Sequence, residues 1–235
     1  HQKNLDPTIH LAMKQAQTDW SEIAAIAVTI GPRLAPALEV GIEKAKALAK
    51  KYHKKIIAIN HIEAHALSAL AKARMRSEQS KQIIQLEKKT LKYPILALVI
   101  SGGHSEFILI EELGKYQKIG QSIDDAAGEC LDKVGRLLNL GYPAGPLVEK
   151  FAKKGWPNKF TFPKAMTSQP NFDLSFSGLK TAARNVITNL EKQERLHSQT
   201  IYDLALAIQT AVFAQITYKL ERILFSANPQ QKVYP

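Results

Sequence analysis

Apolar residues in the first part of the chain form two continuous runs separated by a segment with helical spacing. The runs IAAIAVTI (23–30) and KKIIAIN (54–60) predict two strands, the first of them buried, parallel and followed by a Gly-Pro turn. Between them, apolar positions three and four residues apart predict a helix over 35–50, and another helix is predicted over 6–18. This strand–helix–strand order is typical of a βαβ unit, so we predict an α/β protein with a parallel sheet.

The hydrophobic pattern changes near residue 93. Two strand-like runs, YPILALVI (93–100) and EFILIEE (106–112), are separated by SGGHS, which predicts a β-hairpin. Beyond the hairpin the apolar positions return to helical spacing, interrupted by an irregular stretch rich in Phe, Pro and Ser. Helices are predicted over 123–139, 145–154, 177–190 and 200–226.

A polar and basic segment, RMRSEQSKQIIQLEKKTLK (74–92), lies between the two patterns. It has no apolar face to match a core, so we interpret it as a linker or a surface insertion. The predicted domains are therefore 1–92, which includes this basic insertion, and 93–235.

Composition narrows the class of protein. The 235 residues are 45% hydrophobic and 23% charged, as in ordinary globular proteins, and no apolar run reaches the roughly 18 residues of a membrane span. The single cysteine, Cys130, excludes an internal disulfide framework. The formal net charge of +11 favours a polyanionic partner, nucleic acid before a membrane surface, with solubility alone as the alternative explanation.

Two histidines in INHIEAHALSAL (59–70) are candidates for a metal site. His61 and His65 are four residues apart, which places both imidazoles on one face of a helix, where they can bind one ion. Glu63 follows His61 by two residues, so the segment is not the H-E-x-x-H motif of metalloproteases. The alternative is an ordinary helix with surface histidines, in which Asn60 is the N-cap and Glu63 completes a capping box.

The stretch VISGGHSEF is a candidate for ligand binding. The pair Gly102-Gly103 permits unusual backbone angles and close approach of backbone N–H groups to a ligand such as a phosphate. The alternative is a plain hairpin turn, although His104 and Ser105 leave polar groups there that such a turn does not require.

The segment SIDDAAGECLDKVGRLLNLGYPAGP carries an unusual helix face. On this face, acidic residues alternate with glycines at positions i, i+3, i+7 and i+10 of the helix. These residues are Asp125, Gly128, Asp132 and Gly135. Such a face suits a ligand whose hydroxyls the carboxylates accept, such as a ribose, and close helix packing is the alternative. The turn GYPAGP could bring Gly145 to the same place. The predicted buried stripe comprises Ile123, Ala127, Cys130, Val134 and Leu137.

The segment FDLSFSGLKTA (172–182) precedes a predicted helix. Ser177 is a candidate N-cap, and the N-terminus of this helix would attract an anion. Lys180 could contact a phosphate, although a solvated side chain is the favoured interpretation. Cys130 falls on the buried stripe and is a poor nucleophile candidate. The sequence shows neither a serine-hydrolase arrangement of nucleophile and base nor a Walker-type phosphate loop.

Taken in order, these motifs resemble one family closely, the tRNA adenosine threonylcarbamoyltransferases, once described as glycoproteases. They cover nearly the whole chain apart from the basic insertion. Their sequences resemble the bacterial and mitochondrial branch of the family more than the archaeal and cytosolic branch. The resemblance implies the two-lobed actin-like ATPase fold (ASKHA, RNase H-like). The motifs are VTIGPRLAPALEVGIEKAKALA, INHIEAHALSAL, VISGGHSEFILIEE, SIDDAAGECLDKVGRLLNLGYPAGP, FDLSFSGLKTAARN and YDLALAIQTAV.

The family resemblance also implies a reaction and its ligands. Members transfer a threonylcarbamoyl group from threonylcarbamoyl-adenylate to the exocyclic amine of the adenosine beside the anticodon, in tRNAs that read ANN codons. By resemblance, His61 and His65 bind one divalent metal ion, with iron or zinc expected. The implied partners are tRNA and the adenylate, with a homodimer or other proteins of the modification pathway as further expectations. The residues implied in adenylate binding are Val99, Ile100, Ser101, Gly102, Gly103, Asp132 and Gly145.

The sequence departs from the family pattern at both ends and at one turn residue. An opening strand with an Asp-Thr-Ser motif is expected before His1, and a closing part with a third metal ligand is expected after Pro235. We therefore expect this chain to be the central part of a longer protein, with incomplete metal coordination by itself. Ala144 stands where the family suggests glycine. The alternatives are a non-catalytic tRNA-binding or scaffold protein of the same fold and, third, a metalloprotease.

The basic insertion adds expectations about tRNA and location. Its cations would contact phosphates with little sequence preference, and a solvated surface loop is the alternative. Because the insertion is longer than expected in bacterial relatives, we expect a mitochondrial protein, with the bacterial cytoplasm as the alternative. The cations in and around the insertion are Lys72, Arg74, Arg76, Lys81, Lys88, Lys89 and Lys92, against only Glu78 and Glu87.

Overall fold

The computed structural model describes residues 2–32, 34–69, 71–75, 82–86 and 92–225. The chain divides into two compact units, His1–Lys92 and Tyr93–Pro235, and this boundary is the one at which the hydrophobic pattern changes. Both units mix helices with strands, which confirms the predicted α/β class. Within the described ranges, no helix is both long enough and apolar enough to cross a membrane.

The first unit contains the predicted βαβ unit. Strands β1 and β2 pair in parallel, with Ala27 opposite Ile57, and α2 packs against β1. Helix α2 ends at His53, whose left-handed backbone (φ 51°) lets its N–H donate to the Ala49 carbonyl. The elements are α1 (Gln2–Ala16), β1 (Ala25–Gly31), α2 (Ala35–Tyr52), β2 (Lys55–Asn60) and α3 (His61–Ser68).

The strand β1 is less buried than its apolar run predicts. Among the described residues, the parallel sheet of the first unit consists of β1 and β2 alone, so neither strand has neighbours on both sides. Ile30 and Ile57 are accordingly 54% and 50% exposed. The prediction of a buried strand is therefore wrong for the described structure, while the predicted parallel pairing is confirmed.

The basic insertion contains regular structure that its polar sequence did not predict. Strand β4 (Gln82–Leu86) lies within it and pairs antiparallel with β3 (Ala71–Met75), of which the last two residues belong to the insertion. Ala73 is opposite Ile84 in this pairing. Of the two interpretations, the linker is wrong for these strands, because their backbones pair as in a β-hairpin. The surface insertion stays a prediction. The remaining cations of the insertion up to residue 91 lie outside the described residues.

The sheet of the second unit has three antiparallel strands. The predicted hairpin is confirmed, because β5 (Ile95–Ile100) pairs with β6 (Ser105–Glu112) across the SGGHS segment. A further strand, β7 (Lys115–Gln121), pairs with β6 and was not predicted. Its sequence KYQKIGQ has few apolar residues, so no hydrophobic run predicts this strand. Its pairing with β6 provides hydrogen-bond partners for backbone N–H and C=O groups.

Four helices follow the sheet in the described part of this unit. They are α4 (Ala127–Leu137), α5 (Gly145–Ala152), α6 (Ser177–Lys192) and α7 (Ser198–Leu224). Of these, α4, α6 and α7 share a hydrophobic core with the sheet. Fully burying one large apolar side chain contributes about 1.5–3 kcal/mol to stability. The core that the helices share therefore holds α4 and α6 in place. The largest fully buried apolar side chains of the unit include Phe107, Phe172, Phe176, Leu138, Leu174, Leu204, Ile208 and Val134.

Candidate functional site

The two candidate metal ligands begin α3 directly after β2. Asn60, the last residue of β2, accepts hydrogen bonds through its side-chain oxygen from the backbone N–H of Ile62 at 2.9 Å and of Glu63 at 3.1 Å. This N-cap confirms the predicted role of Asn60. It also places His61 in the first turn of the helix, at the carboxyl end of a parallel strand.

The side chains of His61 and His65 meet on one face of α3, as their spacing predicts. Their Nε2 atoms are 3.2 Å apart, and the rings lie edge to face with centroids separated by 4.5 Å. Two imidazole nitrogens bound to one ion at about 2.1 Å, at a tetrahedral angle, would lie roughly 3.4 Å apart. The pair therefore fits a shared divalent ion. In the described part of the chain, no group of three or more His, Cys, Asp or Glu side chains converges on one point.

The glycine turn, Ser101–Gly103, connects β5 to β6. Ser101 closes it, because its hydroxyl oxygen accepts from the N–H of Gly103 at 3.2 Å and of His104 at 3.0 Å. Both glycines are exposed, and a Cβ added at either would meet no atom within 4 Å. Neither has a positive φ, so the turn itself does not require glycine. The pair leaves open backbone that a ligand can approach closely.

The first turn of α4 packs directly on the glycine turn. A Cβ at Gly128 would lie 2.8 Å from the Ser101 carbonyl oxygen and 2.9 Å from the Gly102 Cα. Ser105, the first residue of β6, accepts through its buried hydroxyl from the N–H of Ala127 at 2.9 Å. Gly128 is thus required for close packing, which was the alternative to a ligand-facing role, and this packing joins α4 to the turn.

Asp132 and Gly145 are brought together, as the turn GYPAGP predicts. The Asp132 Oδ1 atom accepts from the backbone N–H of Ala144 at 2.8 Å and of Gly145 at 3.0 Å. A Cβ at Gly135 would lie 2.3 Å from the Ala144 Cβ, so this glycine also serves close packing. Ala144, which stands where glycine was expected, is fully buried in this contact.

The start of α6 is capped from a different segment of the chain. The predicted cap, Ser177, is wrong, because Ser177 is the first helical residue and makes no capping bond to α6. Instead Asp124 accepts from the backbone N–H of Phe176 at 2.8 Å and from the hydroxyls of Ser175 and Ser177 at 2.5 and 2.7 Å. The anion that the sequence places at this helix start is therefore a side chain of the protein itself.

Ionisation of Asp124 follows from these contacts. Partial burial raises its pKa, but the hydrogen bonds from Ser175, Phe176 and Ser177 together hold the pKa below the ordinary 3.8. Sequence reasoning did not single out Asp124. The only signal was the acidic pair at 124–125, which the sequence pattern placed inside the predicted helix 123–139. Its partners lie more than 50 residues away along the chain.

Asp125 forms an ion cluster with two lysines. Its two oxygens lie 2.5 Å from Lys133 Nζ and 2.8 Å from Lys180 Nζ, and Lys133 also contacts Glu129 at 2.9 Å. Burial raises the pKa of Asp125, but the hydrogen bonds that Lys133 and Lys180 donate to it lower this pKa overall. The hydrogen bonds that Lys133 donates to Asp125 and Glu129 raise the pKa of Lys133. The favoured interpretation of Lys180 as solvated is wrong.

The predicted buried stripe of α4 begins one turn too early. Ile123 is 60% exposed and precedes the helix, which starts at Ala127. The stripe consists of Ala127, Cys130, Val134 and Leu138, with Leu137 partly buried. Burial raises the pKa of the Cys130 thiol to about 12, which confirms that it is a poor nucleophile.

The chain is similar to known proteins along almost its whole length. The family model for tRNA N6-adenosine threonylcarbamoyltransferase (TsaD) matches residues 1–234. A tRNA N6-adenosine threonylcarbamoyltransferase of Anaplasma marginale (strain St. Maries) is 43% identical over 228 residues, covering 97% of this chain and 62% of the relative. One of Rickettsia prowazekii (strain Madrid E) is 40% identical over 221 residues, covering 94% of this chain and 52% of the relative. The chain spans about half to three fifths of the length of these relatives.

Proposed function

The chain belongs to the tRNA N6-adenosine threonylcarbamoyltransferase family, and on that basis we propose that the full-length protein modifies tRNA. The substrate class is a tRNA with an adenosine beside its anticodon, and the donor is threonylcarbamoyl-adenylate. The adenosine N6 attacks the carbamoyl carbon, the bond from that carbon to the phosphate oxygen breaks, AMP leaves, and N6 loses a proton. The α/β units agree with the actin-like ATPase fold of the family.

One observation carries the proposal for the adenylate: helix α4 contacts both predicted binding segments of the second unit. Gly128 packs on the glycine turn, and Asp132, one helical turn later, binds the N–H of Gly145. Two segments that are more than 40 residues apart in sequence are thereby held by a single rigid element. This helix therefore holds the open backbone of the glycine turn and the Asp132 carboxylate in a fixed arrangement, and a ligand that needs both can bind there.

One carboxylate oxygen of Asp132 is available to accept a hydrogen bond from a ligand. Its Oδ1 atom takes the two backbone bonds of the turn, whereas Oδ2 has no partner among the described residues. We assign Oδ2 to a hydroxyl of the adenylate ribose, because an ionised carboxylate is a strong acceptor for hydroxyl donors. The exposed glycine turn would then admit the rest of the nucleotide, where a side chain at either glycine would intrude.

We further propose that His61 and His65 hold one divalent metal ion, iron or zinc. The 3.2 Å separation of their Nε2 atoms and their position in the first turns of α3 support this assignment. When bound, such an ion neutralises phosphate charge and so favours the departure of AMP. Asn60 keeps the two imidazoles in register, since its cap fixes the first turn of the helix.

The mitochondrion is the proposed location, with the bacterial cytoplasm as the alternative. The proposal depends on the expectation that the basic insertion at 74–92 is longer than the corresponding segment of bacterial relatives. A fluorescent fusion of the full-length protein is expected to co-localise with a mitochondrial marker. A fusion that stays in the cytosol would overturn this location.

The proposed reaction is tested with purified full-length protein, threonylcarbamoyl-adenylate and unmodified tRNA. Mass analysis of the digested tRNA is expected to show threonylcarbamoyladenosine. Asp132→Asn keeps an Oδ1 acceptor for the turn but removes the charge, so it should reduce modification strongly at unchanged stability. Glu149→Gln, at an exposed position of α5, is the matched control and should retain activity. Absence of modified adenosine with the wild-type protein would overturn the proposal.

A further inference from the structure

A basic groove runs between α4 and α6 on the second unit. It has a volume of about 320 Å³ and is separate from the glycine turn and from the contact between Asp132 and Gly145. Four of the six side chains that line it are cationic, and none is acidic. The lining residues are Lys133, Arg136, Leu137, Lys180, Thr181 and Arg184.

The two lysines of this groove are held in place by carboxylates at its edge. Asp125, whose side chain is only 13% exposed, lies between Lys133 and Lys180, and Glu129 also contacts Lys133. These contacts neutralise part of the lysine charge and fix both ammonium groups. The two lysine ammonium groups are therefore held at fixed positions in the groove rather than being mobile surface charges.

The two arginines are available to a ligand. Arg136 and Arg184 are exposed, and in the described part of the chain neither makes an ion pair or a side-chain hydrogen bond. Arginine is the side chain best suited to phosphate, because its planar guanidinium offers paired N–H donors and loses little hydration on contact. With two carboxylates against four cations, the groove keeps an excess of positive charge.

The arrangement suits a chain of phosphates better than one small anion. On each helix the two cations are about one helical turn apart, at i,i+3 for Lys133 and Arg136 and at i,i+4 for Lys180 and Arg184. The charges thus follow the groove instead of converging on a point. At the helix starts, the N–H of Ala127 donates to Ser105 and that of Phe176 donates to Asp124, so these two donors are not available to a phosphate.

We propose that this α4–α6 groove binds the phosphate backbone of the tRNA substrate. The inference rests on the proposed function for the identity of the polyanion, and it adds a contact surface outside the adenylate site. Contacts of this kind hold and orient a nucleic acid without reading its sequence. The groove should therefore affect tRNA affinity and leave the chemical step unchanged.

The test is the double variant Arg136→Gln/Arg184→Gln in the full-length protein. Two lost phosphate contacts should reduce the slope of log affinity for tRNA against log salt by about 1.5. The KM for tRNA should rise on the order of tenfold at low salt, with kcat and adenylate binding unchanged. The matched control is Lys150→Gln/Lys192→Gln, which removes the same charge from exposed positions of α5 and of the far end of α6.

Three results would overturn the groove assignment. An unchanged salt slope in the arginine variant is the first, and an equal loss in the control variant is the second, since it would indicate a general charge effect. The third concerns inorganic pyrophosphate, whose binding is measured for the wild type and for the arginine variant. If the variant loses pyrophosphate binding but keeps its tRNA affinity, the groove is a site for a small anion. The proposed function is judged separately, because it depends on modification by the wild-type protein.

Discussion

Asp124 holds the first turn of α6 through Ser177: its carboxylate accepts the Ser177 hydroxyl at 2.7 Å and the Ser177 backbone N–H at 3.3 Å. The same carboxylate binds Ser175 and the N–H of Phe176. The pairing of Ser122 with Leu174 brings the two segments side by side. One side chain therefore connects the segment before α4 to the start of α6, the two helices that form the basic groove.

Removal of this connection should destabilise the protein measurably. Asp124→Ala is expected to lower the free energy of unfolding by about 1–2 kcal/mol, the usual loss for a helix cap. Asp124→Asn keeps one acceptor oxygen and should lose about half of that amount. Urea denaturation of both variants measures the difference. Equal stability of Asp124→Ala and the wild type would contradict a capping role.

The capping role of Asp124 also has a defined pH dependence. The folded-state pKa lies below the ordinary 3.8, so the stabilisation is fully present above that pH and is lost as the pH falls through the folded pKa. The stability gap between the wild type and Asp124→Ala should therefore close on acidification. A gap that is constant from neutral pH down to about pH 2 would contradict the assignment.

The packing of α4 on the glycine turn predicts a binding defect from a single methyl group. In Gly128→Ala the new Cβ would meet the Ser101 carbonyl and the Gly102 Cα, so the turn must shift. We expect AMP affinity to fall at least about tenfold, with a stability change within the roughly 1–3 kcal/mol typical of overpacking. Isothermal calorimetry with AMP provides the measurement.

Gly178→Ala is the matched control for this substitution. Gly178 lies in the first turn of α6, and an added Cβ there would meet no atom within 4 Å. AMP affinity should be unchanged, and helix propensity should raise stability by up to about 1 kcal/mol. Wild-type AMP affinity in Gly128→Ala would exclude the glycine turn from the adenylate site.

A buried lysine predicts an alkaline gain in stability. Lys219 of α7 is fully buried and donates to the Asn171 carbonyl at 2.9 Å. Burial and the nearby Arg222 lower its pKa to about 8, against a smaller opposing effect of Asp173. Because the unfolded chain retains the proton up to about pH 10.5, the free energy of unfolding should rise between these two pH values.

The variant Lys219→Met isolates this contribution, since methionine has a similar volume and does not titrate. Its stability relative to the wild type should decrease by up to about 3 kcal/mol as the pH rises from about 8 to about 10.5. Chemical denaturation across this range measures both proteins. A difference that does not vary with pH would contradict a lowered pKa for Lys219.

The basic insertion provides a second test of tRNA contact, independent of the groove. Replacement of Lys88, Lys89 and Lys92 by alanine should weaken tRNA binding and flatten its salt dependence, because three phosphate contacts are lost. Binding of metal and adenylate should remain. If the triple variant keeps both the tRNA affinity and the salt slope of the wild type, the insertion is a solvated surface loop.

Sequence pattern was sufficient where the partners are close along the chain. The contact of His61 with His65 follows from helical spacing, and that of Asp132 with Gly145 follows from a short turn after α4. The parallel pairing of β1 with β2 follows from the apolar runs that flank α2. In each case local geometry determines which groups can meet.

Contacts that depend on tertiary packing could not be predicted in this way. Asp124 and Ser177 are 53 residues apart, and the pairing of Ser122 with Leu174 brings their segments together. Helical spacing extended the predicted α4 back to Ile123, because the pattern does not show that Asp124 is engaged by α6. Strand β7 was missed for a similar reason. Its sequence has too few apolar residues to predict a strand, and it forms because its backbone pairs with β6.

The proposed metal-dependent transferase is tested most directly by His61→Ala in the full-length protein, with elemental analysis of bound metal and mass analysis of modified tRNA. The variant should lose both the metal and the modification while it keeps the wild-type free energy of unfolding to within about 1 kcal/mol. His10→Ala, at an exposed position of α1, should retain both. Full tRNA modification by His61→Ala protein that contains no metal would contradict the proposed role of His61 and His65.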